Sequence, residues 1–167
     1  VRNWVLPDIT DRRTSKKINP YLWRRPSRKK LALLGCVFRH ALLFRLYTGL
    51  AVIFQRVRQM VGKRNTMAEP YAGHGSFLLF HLYFEDICAL LDYPPFLYGE
   101  EIYIAEELHR SGVGIYLESR LSVHHTGSQT LSSFQAKQIA RWKAEANTYL
   151  LGRYFGSKSA DILGSKE

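Results

Sequence analysis

Acidic residues are scarce in the first third of this chain. Residues 1–64 hold 16 Lys and Arg but only Asp8 and Asp11 as acids, a net charge of +14. Residues 65–167 hold 8 Lys and Arg against 12 acids, a net −4. A one-sided basic segment points to an anionic partner: nucleic acid, anionic lipid or an acidic ligand. Cysteine is scarce as well. Cys36 and Cys88 lie 52 positions apart, a spacing that fits neither a metal motif nor a redox motif. Their apolar settings predict buried free thiols in a reducing compartment, hence a cytoplasmic location. No run approaches the ~18 uninterrupted apolar residues of a membrane-spanning helix. Neither GxGxxG nor GxxxxGK[ST] occurs, so no phosphate-cradling loop is expected. The opening VRNWVLPDITDRR carries no apolar h-region, so no signal peptide is expected there. The chain begins at Val1, which suggests a fragment or a processed product. There is no internal repeat and no low-complexity tract.

What is present suffices for a core. The 167 residues are 46% apolar and 13% aromatic, enough for one compact domain or part of a larger one. Residues 1–27 are polar and broken by Pro7, Pro20 and Pro26, which reads as an irregular arm. Residues 28–61 read as helix, two helices if they meet near Gly49. Leu31, Leu34, Phe38, Leu42 and Arg45 fall on one helical stripe, as do Leu46, Leu50 and Ile53 with a small drift. A basic, apolar, non-spanning helix suits the membrane interface; an internal hairpin covering a sheet fits equally well. Residues 62–70 have linker composition. SFLLF predicts a strand over about 75–81, covered on both faces. Residues 84–91 and 101–110 read as helices, the second stopped by Ser111-Gly112. Residues 114–118 and 121–124 read as short strands. Residues 133–155 form a last helix with Phe134, Ile139, Trp142, Ala146 and Tyr149 on its apolar side, before a frayed tail.

The chemistry concentrates in YPPFLYGEEIYI and LSVHHTGSQT. Glu100 and Glu101 follow an aromatic loop and open a helix. There the free amides and the helix dipole favour the charged carboxylate, which can accept a proton from a hydroxyl. Plain capping of the first turn is the commoner role, but exposing FLYG is costly unless it lines a pocket. His124 and His125 end an alternating run, so they face opposite sides of a strand and only one can serve a given site. One imidazole with an acidic partner can hold a divalent cation, although a lone His is more often structural. Gly73-His74-Gly75 permits close approach of a ligand to backbone, or forms a turn entering a strand. The Lys and Arg of residues 12–30, near Tyr21 and Trp23, could meet nucleic acid. With no nucleic-acid module beside them, a solvated or lipid-facing surface fits better.

Taken in order, HGSFLLFHLYFEDI, PPFLYGEEIYIAEELHRSGVGIYLES and LSVHHTGSQT resemble the acceptor-side portion of a family 2 glycosyltransferase. The nearest likeness is to the bacterial rhamnosyl and other sugar transferases of surface polysaccharide synthesis. The likeness covers about residues 71–131. It implies an α/β fold: a partial GT-A-like mixed sheet with flanking helices, preceded by a basic helical segment. It implies residues 1–66 as a variable insertion, 67–156 as the acceptor-side half with its C-terminal helix, and 157–167 as a flexible tail. It implies an inverting transferase working on a nucleotide-sugar donor and a glycan or lipid-linked acceptor. By motif position Glu101 is the general base, Glu100 its acidic neighbour, and His125, with His124 second, the metal-side residue. His74, Gly75, Tyr98 and Gly99 take the substrate-lining positions. The cofactor implied is a divalent metal, Mg or Mn, held mainly by a nucleotide-binding half carrying Asp-x-Asp. That motif does not occur here, so the chain alone is expected to bind donor poorly. The expected location is the inner face of the plasma membrane, without nucleic acid. The alternative function is a non-catalytic basic helical module binding anionic membrane or nucleic acid.

Overall fold

The computed structural model of the chain describes residues 3–60, 69–126 and 134–156. They form a mixed α/β structure. The elements in order are β1 (Asn3–Asp11), β2 (Lys16–Lys17), α1 (Arg28–Arg39), α2 (Ala41–Met60), β3 (Leu79–His81), α3 (Phe84–Leu91), α4 (Glu100–Arg110), β4 (Gly114–His125) and α5 (Ala136–Tyr154). They fall into two compact units. The sheet, α3 and α4 form one, from residues 3–26 and 69–126; α1, α2 and α5 form the other. This grouping runs across the division expected at residues 66–67. That boundary, most of the 62–70 linker, residues 127–133 of the histidine motif region and the tail at 157–167 lie outside the described residues.

The largest departure from expectation is β1, which the prolines had suggested was an irregular arm. It is the central strand, with Trp4, Leu6 and Ile9 fully buried. It runs parallel to β4 along its whole length, and antiparallel to β3 at Asn3–Val5 and to β2 at Thr10–Asp11. Proline has no N–H to give a ladder, so a central strand tolerates it only where the ladder breaks. The break is present. Pairing with β4 shifts register between Pro7 and Asp8, where Pro7 faces Glu118 and Asp8 faces Ser122. The residues skipped, 119–121, make the bulge. The two short strands expected at 114–118 and 121–124 are therefore one strand with a bulge at the expected gap.

The strand expected over 75–81 shrinks to Leu79–His81 and is largely exposed, not covered on both faces. Helix α3 has the expected bounds. Helix α4 ends as anticipated. Gly112 takes φ +65°, its N–H donates to the His109 carbonyl at 3.2 Å, and Val113 N–H donates to Leu108 O at 2.9 Å. This is a Schellman close, with Val113 and Leu108 both buried beneath it.

In the helical unit, Ser27 caps α1 by accepting from Lys30 N–H at 3.2 Å. The chain turns between α1 and α2 at His40, in extended conformation, and not at Gly49. That turn divides the predicted stripe. Leu31 and Phe38 point inward, but Leu42 points to solvent. Phe38 and Phe44 meet edge-to-face at 5.7 Å and pack with Ala140 and Ala144 of α5. The buried side of α5 is Ala140, Ala144, Ala146, Leu150 and Tyr154; of the residues expected there, Phe134 is exposed. Small alanines allow the helices to approach, and the phenylalanines fill the space between. Cys36 and Cys88 are free but exposed, contrary to the expectation of burial. Apolar sequence neighbours do not bury a residue whose own helical face looks outward.

Candidate active site

Glu101 opens the first turn of α4 and is buried, with 8% of its surface accessible. Two backbone features aim it. Tyr98 and Gly99, immediately before the helix, both adopt positive φ, +69° and +83°. Glycine tolerates this without penalty, while a tyrosine there is strained and must be held. Tyr93 OH holds it, donating to the Tyr98 carbonyl at 2.7 Å. Tyr103 ties the same loop to α4, donating to the Asp92 carbonyl at 3.1 Å and packing its ring 5.0 Å from that of Tyr93. The aromatic loop therefore sets how α4 begins.

The second wall is Gly73-His74-Gly75. Gly75 N–H donates to Glu101 Oε1 at 3.3 Å. A Cβ at Gly75 would stand 3.2 Å from Oε1 of both Glu100 and Glu101. Both carboxylates thus converge on one bare stretch of backbone. A Cβ at Gly73 would overlap Leu6 Cδ2 and the Trp4 indole on β1. One glycine lets the loop lie on the sheet, and the other lets it meet the acids. Asn19, buried, joins these parts: its Nδ2 donates to Pro7 O at 2.9 Å, and its Oδ1 accepts from His74 N–H at 2.9 Å. Nothing in the sequence around Asn19 signals this role.

The electrostatics differ from the simple expectation of an ionised helix-start carboxylate. The Glu101 carboxyl is pushed up to about 7. Burial is the main cause and the neighbouring Glu100 adds to it, while hydrogen bonds from its own backbone and from Gly75 pull the other way. Loss of water outweighs the helix start here. Glu100 Oε2 is buried with no hydrogen-bond donor among the described residues. The Tyr98 phenol is pushed up, first by burial and then by Glu100.

His74 sits at the end of the sheet. Its ring lies 6.0 Å from that of His125 and 6.0 Å, edge-on, from that of Tyr21. Its Nδ1 accepts from Ser76 N–H at 3.1 Å. Burial lowers its pKa, the nearby His125 lowers it further, and Asp11 opposes both. His125 pairs with Asp11 in the ladder, and its carbonyl accepts from Arg12 N–H at 2.8 Å. His124 is the more exposed neighbour. The structure thus brings Glu100, Glu101, Gly75, Tyr98 and Gly99 together. It places His74 and His125 side by side, with His74 bonded in sequence to Gly75. Mg and Mn prefer oxygen to imidazole, so a pair of neighbouring histidines is a poor site for either. Among the described residues no group of three or more His, Cys, Asp or Glu is arranged to hold a metal ion.

Glu106, one and a half turns after Glu101, plays a different part. It is almost fully buried, accepts from Arg25 Nε and Nη2 at 2.6 and 2.9 Å, and accepts from Tyr71 OH at 2.6 Å. A buried carboxylate with this many donors holds structure together. In the helical unit a groove of about 690 Å³ is lined by Phe38, Ala140 and Ala144, with Arg39, Lys137 and Arg141 among its polar residues. None of the expected site residues lines it.

No protein-family model, curated protein or solved structure matches this chain.

Proposed function

We propose that this chain is the acceptor-side portion, GT-A-like in fold, of an inverting glycosyltransferase similar to family 2. In this reading it transfers a sugar from a nucleotide-sugar donor to a glycan or lipid-linked acceptor in cell-surface polysaccharide synthesis. It works in the cytoplasm at the inner face of the plasma membrane. The observation that supports this best is Glu101. It is a buried carboxylate at the head of α4, beside Glu100 and against Gly75, with a pKa raised to about 7. A base poised near neutrality can both accept a proton and be regenerated.

In the proposed step Glu101 takes the proton of the acceptor hydroxyl. That oxygen forms its bond to the anomeric carbon while the bond to the nucleotide diphosphate breaks, which inverts the centre. Gly75, Tyr98, Gly99 and His74 border the acceptor. Donor binding and any Mg or Mn belong, in this reading, to a nucleotide-binding half, so no step here is routed through a metal. The test is sugar transfer by the full-length product across a screen of nucleotide-sugar donors. A product of inverted configuration, lost in Glu101→Gln with acceptor binding retained, is expected. Transfer that is unchanged in Glu101→Gln would remove the assignment.

A further inference from the structure

The surface of α2 carries an observation that the transferase reading does not use. Leu42 is 76% exposed, Leu46 63%, Leu50 52% and Leu43 42%. At about 100° per residue these four leucines span about 100° of one side of the helix. Phe44 lies off that stripe and is buried against Phe38, Ala140 and Ala144. Tyr47 stands at the border, 39% exposed with its ring 5.6 Å from Phe38. Among residues 42–50 Phe44 is the one buried against the core, and the leucines form a continuous outward stripe. Exposed apolar stripes of this kind mark interaction surfaces.

Charge decides what the stripe meets. The tertiary grouping joins residues 27–60 to 134–156, and these described residues hold 11 Lys and Arg against a single acid, Glu145, a net +10. The sheet unit's described residues hold 8 Lys and Arg against 11 acids, a net −3. The expected basic segment therefore becomes a basic unit, because α5 adds Lys137, Arg141, Lys143 and Arg153 to it. Arg45 flanks the leucine stripe and is exposed. Among the described residues no helix is long and apolar enough to cross a membrane. An outward leucine stripe flanked by Arg45, on a strongly basic unit, and a non-spanning helix together fit a helix lying in a lipid interface, with arginine reaching up to phosphate.

We propose that the leucine face of α2 docks flat on an anionic phospholipid bilayer. Leu42, Leu43, Leu46 and Leu50 enter the acyl boundary, and Arg45 meets lipid phosphate. This bears on the membrane location in the reading above and not on the role of Glu101, so its failure would leave the Glu101 assignment untouched.

The test is sedimentation of the full 167-residue chain with vesicles of phosphatidylcholine alone or with phosphatidylglycerol. The expected result is at least tenfold tighter binding to the anionic vesicles, weakened at least tenfold between about 0.1 and 0.5 M salt. The triple variant Leu42→Gln/Leu46→Gln/Leu50→Gln should lose about 1000-fold, since each buried leucine contributes roughly tenfold. Arg45→Glu should lose about fivefold or more on anionic vesicles only. Circular dichroism checks folding, and single Leu42→Gln, expected to lose about tenfold, replaces the triple if that misfolds. Wild-type binding by the leucine variants would overturn the proposal. So would equal binding to neutral and anionic vesicles, or no binding to either. A dimer in solution that the triple variant splits would assign the face to a second copy of this chain and also overturn it.

Discussion

At the scale of single residues, the decisive contest is between burial and the helix start at Glu101. Burial wins, and this has a consequence for stability. Its folded pKa of about 7 lies above the unfolded value of 4.5, so the protonated form is the one the fold prefers. The stabilisation is complete below about pH 4.5 and is lost as pH rises through about 7. Glu101→Gln mimics the protonated form and should remove this loss, on the order of 3 kcal/mol between pH 4.5 and 8. Urea denaturation at both pH values measures it; an identical pH dependence in the variant would contradict the assignment. On the transferase reading the sign reverses in turnover, because a general base must be ionised. In that reading the transfer rate of the full-length product should rise as pH passes through about 7, and Glu101→Gln should lower kcat by on the order of 10²-fold or more. A comparable loss in Glu100→Gln alone would move the role by one residue. The loop glycines give a separate prediction. Gly73→Ala should destabilise by about 1–3 kcal/mol, because its methyl overlaps Leu6 and Trp4 in a packed sheet face. Thermal melting of that variant at wild-type temperature would show that the loop does not lie on the sheet as described.

At the scale of elements, α4 organises the sheet unit by presenting two acids of opposite purpose. Glu101 accepts from backbone N–H groups, whereas Glu106 receives three hydrogen bonds from the side chains of Arg25 and Tyr71. Burial also pushes the Tyr71 phenol up, its hydrogen bond to Glu106 adding to the effect, so Tyr71 remains a donor at any ordinary pH. Arg25→Met leaves Glu106 with a single donor in a nearly water-free position. With Arg25 itself partly solvated, this should cost about 1.5–3 kcal/mol, and Tyr71→Phe a similar amount. Chemical denaturation checks both, and losses within about 0.5 kcal/mol of zero would mean that the cluster is more hydrated than its burial implies. The strand pair β1–β4 shows the same economy of placement: the bulge that accommodates Pro7 lies between the part of β4 that starts from α4 and the part that ends at His125.

At the scale of the whole molecule, charge and chemistry are divided between units. The carboxylates that support the enzymatic reading lie in the sheet unit, and the net +10 lies in the helical unit. No phosphate-cradling motif appears in either. On the transferase reading, the chain by itself should turn over nucleotide sugar at no more than about 1% of the full-length rate, since removing positioned binding groups typically costs at least that factor. Side-by-side assays of the chain and the full-length product check this. Full activity in the chain alone would show that donor binding is built from the residues described here.

Much of this arrangement was legible from local pattern. The bounds of α3, the acids at the head of α4, its Ser111-Gly112 stop and the helical reading of 28–60 all follow from periodicity and end signals acting within a few residues. The basic bias of the first third was plain as well. What local pattern could not decide depended on partners distant in sequence. Pro7 argued against a strand until β4 supplied a bulge opposite it. Leu42 continued a buried stripe until the chain turned at His40 and faced it to water. Cys36 and Cys88 had apolar neighbours, but their own faces look outward. Gly73 and Gly75 acquire their purpose only from Trp4, Leu6 and the two glutamates. The identity of residues and their short-range geometry determined which elements form. Which face is buried, and so whether a carboxylate is hydrated and charged or dry and poised, was decided by tertiary packing, because desolvation is set by everything that surrounds a group and not by its neighbours in the chain.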